Sequence, residues 1–284
     1  MNNGILYWDI DPVIFWITDT LPFKYYGFLF VIGLVLGYVF VRRLYIKDSI
    51  PIDNLEKLII YVFIGTILGA RLGHCLFYSP VYYLQNPLEI LLPIKKFGDS
   101  YQFIGFQGLA SHGGTIGVLA AISIYCKKYK MRFLQTVDRI TIGAAIAATF
   151  IRFGNFMNSE IYGKPTNGKW GVVFQQDDLI PRHPTQLYEA LSYLLIFIIL
   201  SIIDRNRKSP KPEGMIFGLF LVLLFSARFI IEFFKENQVG FESGMMINMG
   251  QILSIPFIII GLVLMNRKSS NGGNRNTPSS QINQ

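Results

Sequence analysis

The chain has 284 residues, 51% of them hydrophobic and 15% charged, whereas a soluble domain carries about 25% charged residues. Its apolar residues come in long blocks, which excludes an ordinary soluble enzyme and points to a polytopic membrane protein. The net charge of +8 is the one feature that suggests nucleic acid, and the placement of those charges argues against it.

In chain order, "MNNGILYWDIDPVIFWITDTLPF" has no basic start and is broken by Asp9, Asp11, Pro12 and Asp19. It does not read as a cleavable signal peptide. Residues 11–22 are apolar but too short to cross a bilayer, so they read as an interfacial or re-entrant segment. Seven spans follow, at 26–44, 57–80, 108–126, 137–157, 184–203, 214–234 and 249–265. Cys75 and Cys126 fall in apolar blocks and suggest neither a disulfide framework nor a metal site. The fold class expected is all-α: one integral-membrane domain over 1–265 with an extracytoplasmic loop region. Residues 266–284, ending "SSNGGNRNTPSSQINQ", read as a disordered cytoplasmic tail.

The basic residues sort by connection. One side takes 16, among them Arg42, Arg43, Lys127, Lys128 and Arg205. The other takes 7, including Lys95, Lys96, Arg182 and Lys235. The positive-inside rule then puts the C-terminus in the cytoplasm and the N-terminus outside. Most of the basic excess is therefore a topology signal, and no nucleic-acid partner is expected. Reporter fusions test this. Those after residues 47, 130 and 208 should report cytoplasm, and those near 95 and 168 the outside. A reversed pattern at two or more sites overturns the orientation.

Within the spans, polar residues gather at one depth. Arg71, His112, Arg152, Asn155, Arg228 and Glu232 all fall toward the outer ends of their spans, and Tyr26, His183, Gln186 and Glu189 open spans from that side. Each has a plain structural explanation. An arginine near a span end can snorkel. Arg228 and Glu232, four residues apart, can form a structural ion pair. The glycines of "SHGGTIG" can serve close helix packing, Glu160 and the loop to 182 can be solvated surface, and Cys75 can be a small core residue. The coincidence of depth is what favours a site. Arginines at headgroup level suit a phosphate, a neutral His112 can take a proton near pH 7, and glycines such as Gly113 let a ligand approach the backbone. A phospholipid headgroup is the nearest phosphate.

Five stretches carry a family resemblance: "GARLGHCLFY" at 69–78, "FQGLASHGGTIG" at 106–117, "RFGNFMNSEIYG" at 152–163, "RHPTQLYEAL" at 182–191 and "RFIIEFFKE" at 228–236. Together, and in this order, they resemble the prolipoprotein diacylglyceryl transferases over about residues 10–265. The resemblance implies a seven-span bacterial inner-membrane enzyme. It would transfer a diacylglyceryl group from phosphatidylglycerol to the lipobox cysteine of a prolipoprotein signal peptide and release glycerol phosphate, without cofactor or metal. It further implies that the family's signature arginine and asparagine are Arg152 and Asn155, with Glu160 and Gly163 in the same motif. Its motif histidine is His112, its sixth-span pair Arg228 and Glu232, and its first-span tyrosine Tyr26. Many members have a tyrosine where this chain has Leu224, read "GR" and "NGE" where it has Ile151-Arg152 and Asn158-Ser159-Glu160, and end the sixth span otherwise than "KENQ".

On this basis His112, Arg152 and Arg228 are the expected catalytic residues, with His112 the base and Glu232 orienting Arg228. Tyr26, Arg71, Gly113, Asn155, Glu160, Gly163, His183, Gln186 and Glu232 are expected to bind lipid. A transporter would need repeats or broken paired helices, which the sequence lacks. An intramembrane protease or acyltransferase would need its own nucleophile, and Ser111 beside His112 is the sole candidate.

Overall fold

The computed structural model describes residues 4–19, 21–92, 94–98, 100–103, 108–206, 212–236 and 247–267. The expected C-terminal tail lies almost wholly outside these residues, as do the charges at 207, 208 and 211. Helices dominate: α1 (Tyr25–Lys47), α2 (Ile52–Tyr78), short α3 (Pro80–Gln85) and α4 (Leu88–Leu91), α5 (Ser111–Lys128), α6 (Phe133–Met157), α7 (Thr185–Arg205), α8 (Met215–Ile231) and α9 (Met249–Met265). A helix occupies every expected span. Five are long and apolar enough to cross a membrane: α1, α2, α6, α7, and α8 with the 3₁₀ turn Glu232–Phe234 that follows it. α9 is a shorter apolar helix. α5 is not among the five; Ser111, His112 and Thr115 near its start and Lys127 and Lys128 at its end dilute it. The architecture is that of a polytopic membrane protein.

The helix starts explain the differences from the expected limits. α2 begins at Ile52, directly after Pro51, because Pro fixes a backbone angle suited to a helix entrance. Its polar first turn, with Asp53 and the Lys57–Asp53 pair, lies outside the apolar window. α9 opens on a capping box, in which Asn248 accepts from the Gln251 amide and the Gln251 side chain accepts from the Asn248 amide. α8 begins after Gly214 in the left-handed conformation (φ 86°). There the Asp138 carboxylate accepts from the Gly214 and Phe217 amides, both at 2.8 Å.

The chain forms two compact units, Met1–Tyr38 with Asp138–Gln284, and Val39–Val137. In the first, small residues let helices approach closely. A Cβ on Gly37 would stand 2.8 Å from the Gly143 carbonyl, and one on Gly218 2.7 Å from that of Gly261. In the second, Gly65, Gly69 and Gly73 of α2 face Gly113 and Gly117 of α5 so tightly that a Cβ on any of them meets backbone of the other helix. Without a hydrophobic gain between helices in lipid, such backbone approach is a principal source of association.

Three two-stranded sheets complete the described residues. β1 (Ile5–Trp8) runs parallel to β6 (Gly171–Phe174), and with Phe156, Tyr162 and Leu187 they build a small apolar core. β2 (Val13–Thr18) and β3 (Leu21–Lys24) form an antiparallel hairpin, as do β4 (Ile94–Phe97) and β5 (Ser100–Phe103). The segment expected at 11–22 is thus β-structure. "VIFWIT" is rich in β-branched and aromatic residues, which favour strands, and Phe15, Trp16 and Ile17 are exposed.

Candidate functional site

In the first unit Arg152, Asn155 and Glu189, expected at one depth, do meet, and Glu160 joins them. The end of α6 presents Arg152 and Asn155. Arg152 Nε lies 2.8 Å from Glu189 Oε2 on α7, an ion pair in which the N–H is not aimed along a hydrogen bond. Arg152 Nη1 donates to Asn155 Oδ1 (3.2 Å), and Asn155 Nδ2 donates to Glu160 Oε1 (2.7 Å). The Tyr193 hydroxyl also contacts the guanidinium. Gln186 Nε2 donates to the Glu160 carbonyl at 2.7 Å, leaving its Oε1 buried without a partner among the described residues. Tyr26 lies against Gly154, where a Cβ would stand 2.9 Å from its ring.

The turn after α6 is backbone-strained. Ser159 and Ile161 have φ of 55° and 61°, a region that costs a β-branched residue about 1–3 kcal/mol. It is held by Thr185 Oγ1, which donates to the Ile161 carbonyl at 3.0 Å. This turn carries Glu160 back to Asn155.

Arg228 and Glu232 do not pair. The Glu232 carboxylate is buried and turns to the start of α9, where Oε1 accepts from Asn248 Nδ2 at 3.4 Å and Gly250 leaves room for it. A carboxylate at a helix N-terminus meets unsatisfied N–H groups and the positive end of the dipole. Arg228 is half-buried, acts electrostatically on Tyr193, and has no acceptor among the described residues.

Sequence reasoning gave no role to the partners that organise this cluster. Lys235, counted there as a loop charge, is 3% exposed, and its Nζ donates to Glu189 Oε1 at 2.7 Å. Glu189 thus stands between two cations, Arg152 and Lys235. Arg182, also counted as a loop charge, pairs with Asp178 (2.6 Å) and Glu236 (2.5 Å) and lies over the Tyr162 ring. That pairing holds the Asp178 carboxyl below its usual range and the Arg182 guanidinium above its own. Tyr162 is pushed up to about 12, chiefly by its hydrogen bond to Asp177. No spacing in the sequence links 189 to 235 or 182 to 236; only the fold does.

Two expected lipid ligands of this unit have packing roles. Gly163 leaves space for the Phe234 carbonyl, Thr185 and His183, so its missing side chain serves backbone packing. His183 is wedged among Trp170, Phe234 and Tyr188, with Nδ1 3.2 Å from the Tyr188 hydroxyl. Burial pushes its imidazole below the usual value.

In the second unit, His112 sits in the first turn of α5, exposed and without a hydrogen-bond partner among the described residues. Gly113 beside it packs against Gly69 and Gly73, so its missing side chain serves helix contact. Ser111 is likewise exposed, and no hydrogen bond joins its side chain to His112 among the described residues. Cys75 and Cys126 are both buried free thiols. Arg71 is 6% exposed and donates to backbone carbonyls, as described below.

Comparison with known proteins shows the family. The family model for prolipoprotein diacylglyceryl transferase matches residues 12–267. A phosphatidylglycerol–prolipoprotein diacylglyceryl transferase of Tolumonas auensis is 48% identical over 262 residues, covering 92% of this chain and 96% of the relative. One of Bacteroides fragilis is 45% identical over 268 residues, 93% and 96% of the two chains. One of Chloroherpeton thalassium is 39% identical over 265 residues, 93% and 94%. With that match over nearly its whole length, the chain belongs to the prolipoprotein diacylglyceryl transferase family.

Proposed function

We propose that this protein transfers the diacylglyceryl group of phosphatidylglycerol to the lipobox cysteine thiol of a prolipoprotein, at the outer leaflet of a bacterial inner membrane. The observation that carries this reading is Arg228, a half-buried guanidinium with no acceptor among the described residues. A charge withdrawn from water without a partner is costly, and the planar fork matches phosphate oxygens. A phospholipid phosphate supplies the missing counter-charge. Arg152 is already oriented by Glu189 and Asn155 for the same task.

In the reaction the thiol loses its proton and the sulfur attacks the glycerol carbon that bears the phosphate ester. A C–S bond forms, the C–O bond breaks, and its electron pair leaves on glycerol phosphate. Arg152 and Arg228 stabilise that growing charge in a partly dehydrated setting. His112 takes the proton, since a thiol of pKa about 8.5 is mostly protonated at neutral pH. Tyr26, Asn155, Glu160 and Gln186 hold the headgroup, and the buried Gln186 Oε1, without a partner among the described residues, is an acceptor for a glycerol hydroxyl. Glu232, Gly163, His183 and Gly113 set the surrounding backbone. Incubating membranes that contain the protein with phosphatidylglycerol and a lipobox peptide should yield a thioether-linked diacylglyceryl peptide. Retained lipid without product would mean a lipid-binding protein, and a cleaved peptide a protease.

A further inference from the structure

The sequence places Arg71 among the lipid ligands, but the structure uses its donors elsewhere. Nε donates to the Ile90 carbonyl at 3.1 Å and Nη2 to that of Glu89. Nη1 reaches the Tyr83 hydroxyl (3.3 Å) and the Gly108 carbonyl (3.4 Å), and the guanidinium lies over the Tyr83 ring at 4.9 Å. These partners come from α3, α4 and the last residues before α5. One residue earlier on α2, the Ala70 carbonyl accepts from the Ala110 amide at 2.9 Å. Gly108 itself is pinned from the other side. Its φ of 73° suits glycine, and a Cβ there would collide with the imidazole of His74.

We propose that Arg71 is a positioning residue. By drawing the carbonyls of Glu89, Ile90 and Gly108 onto one buried guanidinium, it fixes the entry into α5 and so the placement of His112 four residues after Gly108. This rests on the assignment of His112 as the proton acceptor. A fork with five donors is required, because a lysine ammonium lacks the geometry to hold three carbonyls and a ring at once. Small displacements suffice for a large effect: about 1 Å of misplacement costs about 10²-fold in rate.

The test is a kinetic cycle with the full-length protein, phosphatidylglycerol and a lipobox peptide. Arg71→Met should lower kcat by about 10²-fold with KM for the lipid little changed. Its defect should shrink as pH rises, as expected for His112→Gln. The double variant Arg71→Met/His112→Gln should be no slower than His112→Gln alone, and Arg71→Lys should stay closer to Arg71→Met than to the unaltered protein. Where Arg71→Met fails to fold, Gly108→Ala loads the same turn against His74 and should give the same kcat and pH signature. A raised KM with kcat intact, or defects that multiply in the double variant, overturns the proposal in favour of a lipid ligand or an independent role. Near-normal transfer by His112→Gln instead overturns the base assignment. The proposal falls with it, whereas an unchanged kcat in Arg71→Met beside an impaired His112→Gln overturns the positioning role alone.

Discussion

Arg152→Ala and Arg228→Ala are each expected to abolish most diacylglyceryl transfer while the protein still inserts. Losing one preorganised group that stabilises a developing oxyanion costs about 10²–10³-fold, and here the leaving phosphate is that charge. The two variants should differ in what else they disturb. Arg152 neutralises Glu189 together with Lys235, so its loss leaves a buried carboxylate with one cation and should also lower thermal stability. Arg228 holds no carboxylate among the described residues, so its loss should leave stability nearly unchanged or raise it. Lysine should restore little at either position, because it loses the bidentate fork. Near-normal turnover by Arg152→Lys would sink the bidentate clamp. Asn155→Ala should be severe as well, since Asn155 links Arg152 to Glu160. Measuring turnover beside a melting curve for each variant separates the catalytic loss from the structural one.

His112→Gln should reduce transfer by about 10²–10⁴-fold, the usual contribution of a general base. Glutamine keeps a hydrogen-bonding group but cannot accept the proton. Because His112 is exposed and unpartnered among the described residues, the substitution breaks no contact there, and folding should be preserved. The defect should shrink as pH approaches the substrate thiol's own pKa, since the thiolate then forms without help. Arg152→Ala should show no such rescue, because deprotonating the thiol does not replace a phosphate clamp. The measurement is the pH profile of both variants on one lipobox peptide at saturating lipid. A His112→Gln defect that stays constant from pH 6.5 to about 9 would show that the thiolate arises by another route.

The spans were legible because an apolar block long enough to cross a bilayer leaves few alternatives for its backbone. α9 matches its expected limits of 249–265, while the polar first turn of α2 lies outside any apolar window. Arg152 and Asn155 were legible through their shared depth at a span end and through the motif they share with the family, but not as bonded partners, although three residues on a helix place them on one face. Helix spacing was applied to Arg228 and Glu232, and there it misled. Adjacency on a helix permits an ion pair, but α8 gives way to a 3₁₀ turn at Glu232, and the start of α9 offers that carboxylate a better environment. Lys235 and Arg182 were illegible as site supports. Lys235's carboxylate partner lies 46 residues away, and of Arg182's two, Glu236 lies 54 residues away; a positive charge beyond a span end looks the same whether solvated or buried. Arg71 was seen, but its carbonyl partners were not, since no sequence pattern marks a backbone carbonyl as a partner.

The glycine seam between α2 and α5 bears on how the protein is made. α5 has only 18 residues, about 27 Å of helix at 1.5 Å per residue, and lacks the apolar character of the five long helices. It has little to hold it in lipid by itself, but it carries a surface that fits α2. Its stable residence should therefore depend on α2 being present first, as synthesis from the N-terminus ensures. A side chain introduced into the seam would then act during biogenesis, as failed assembly and degradation, before any effect on turnover could be measured.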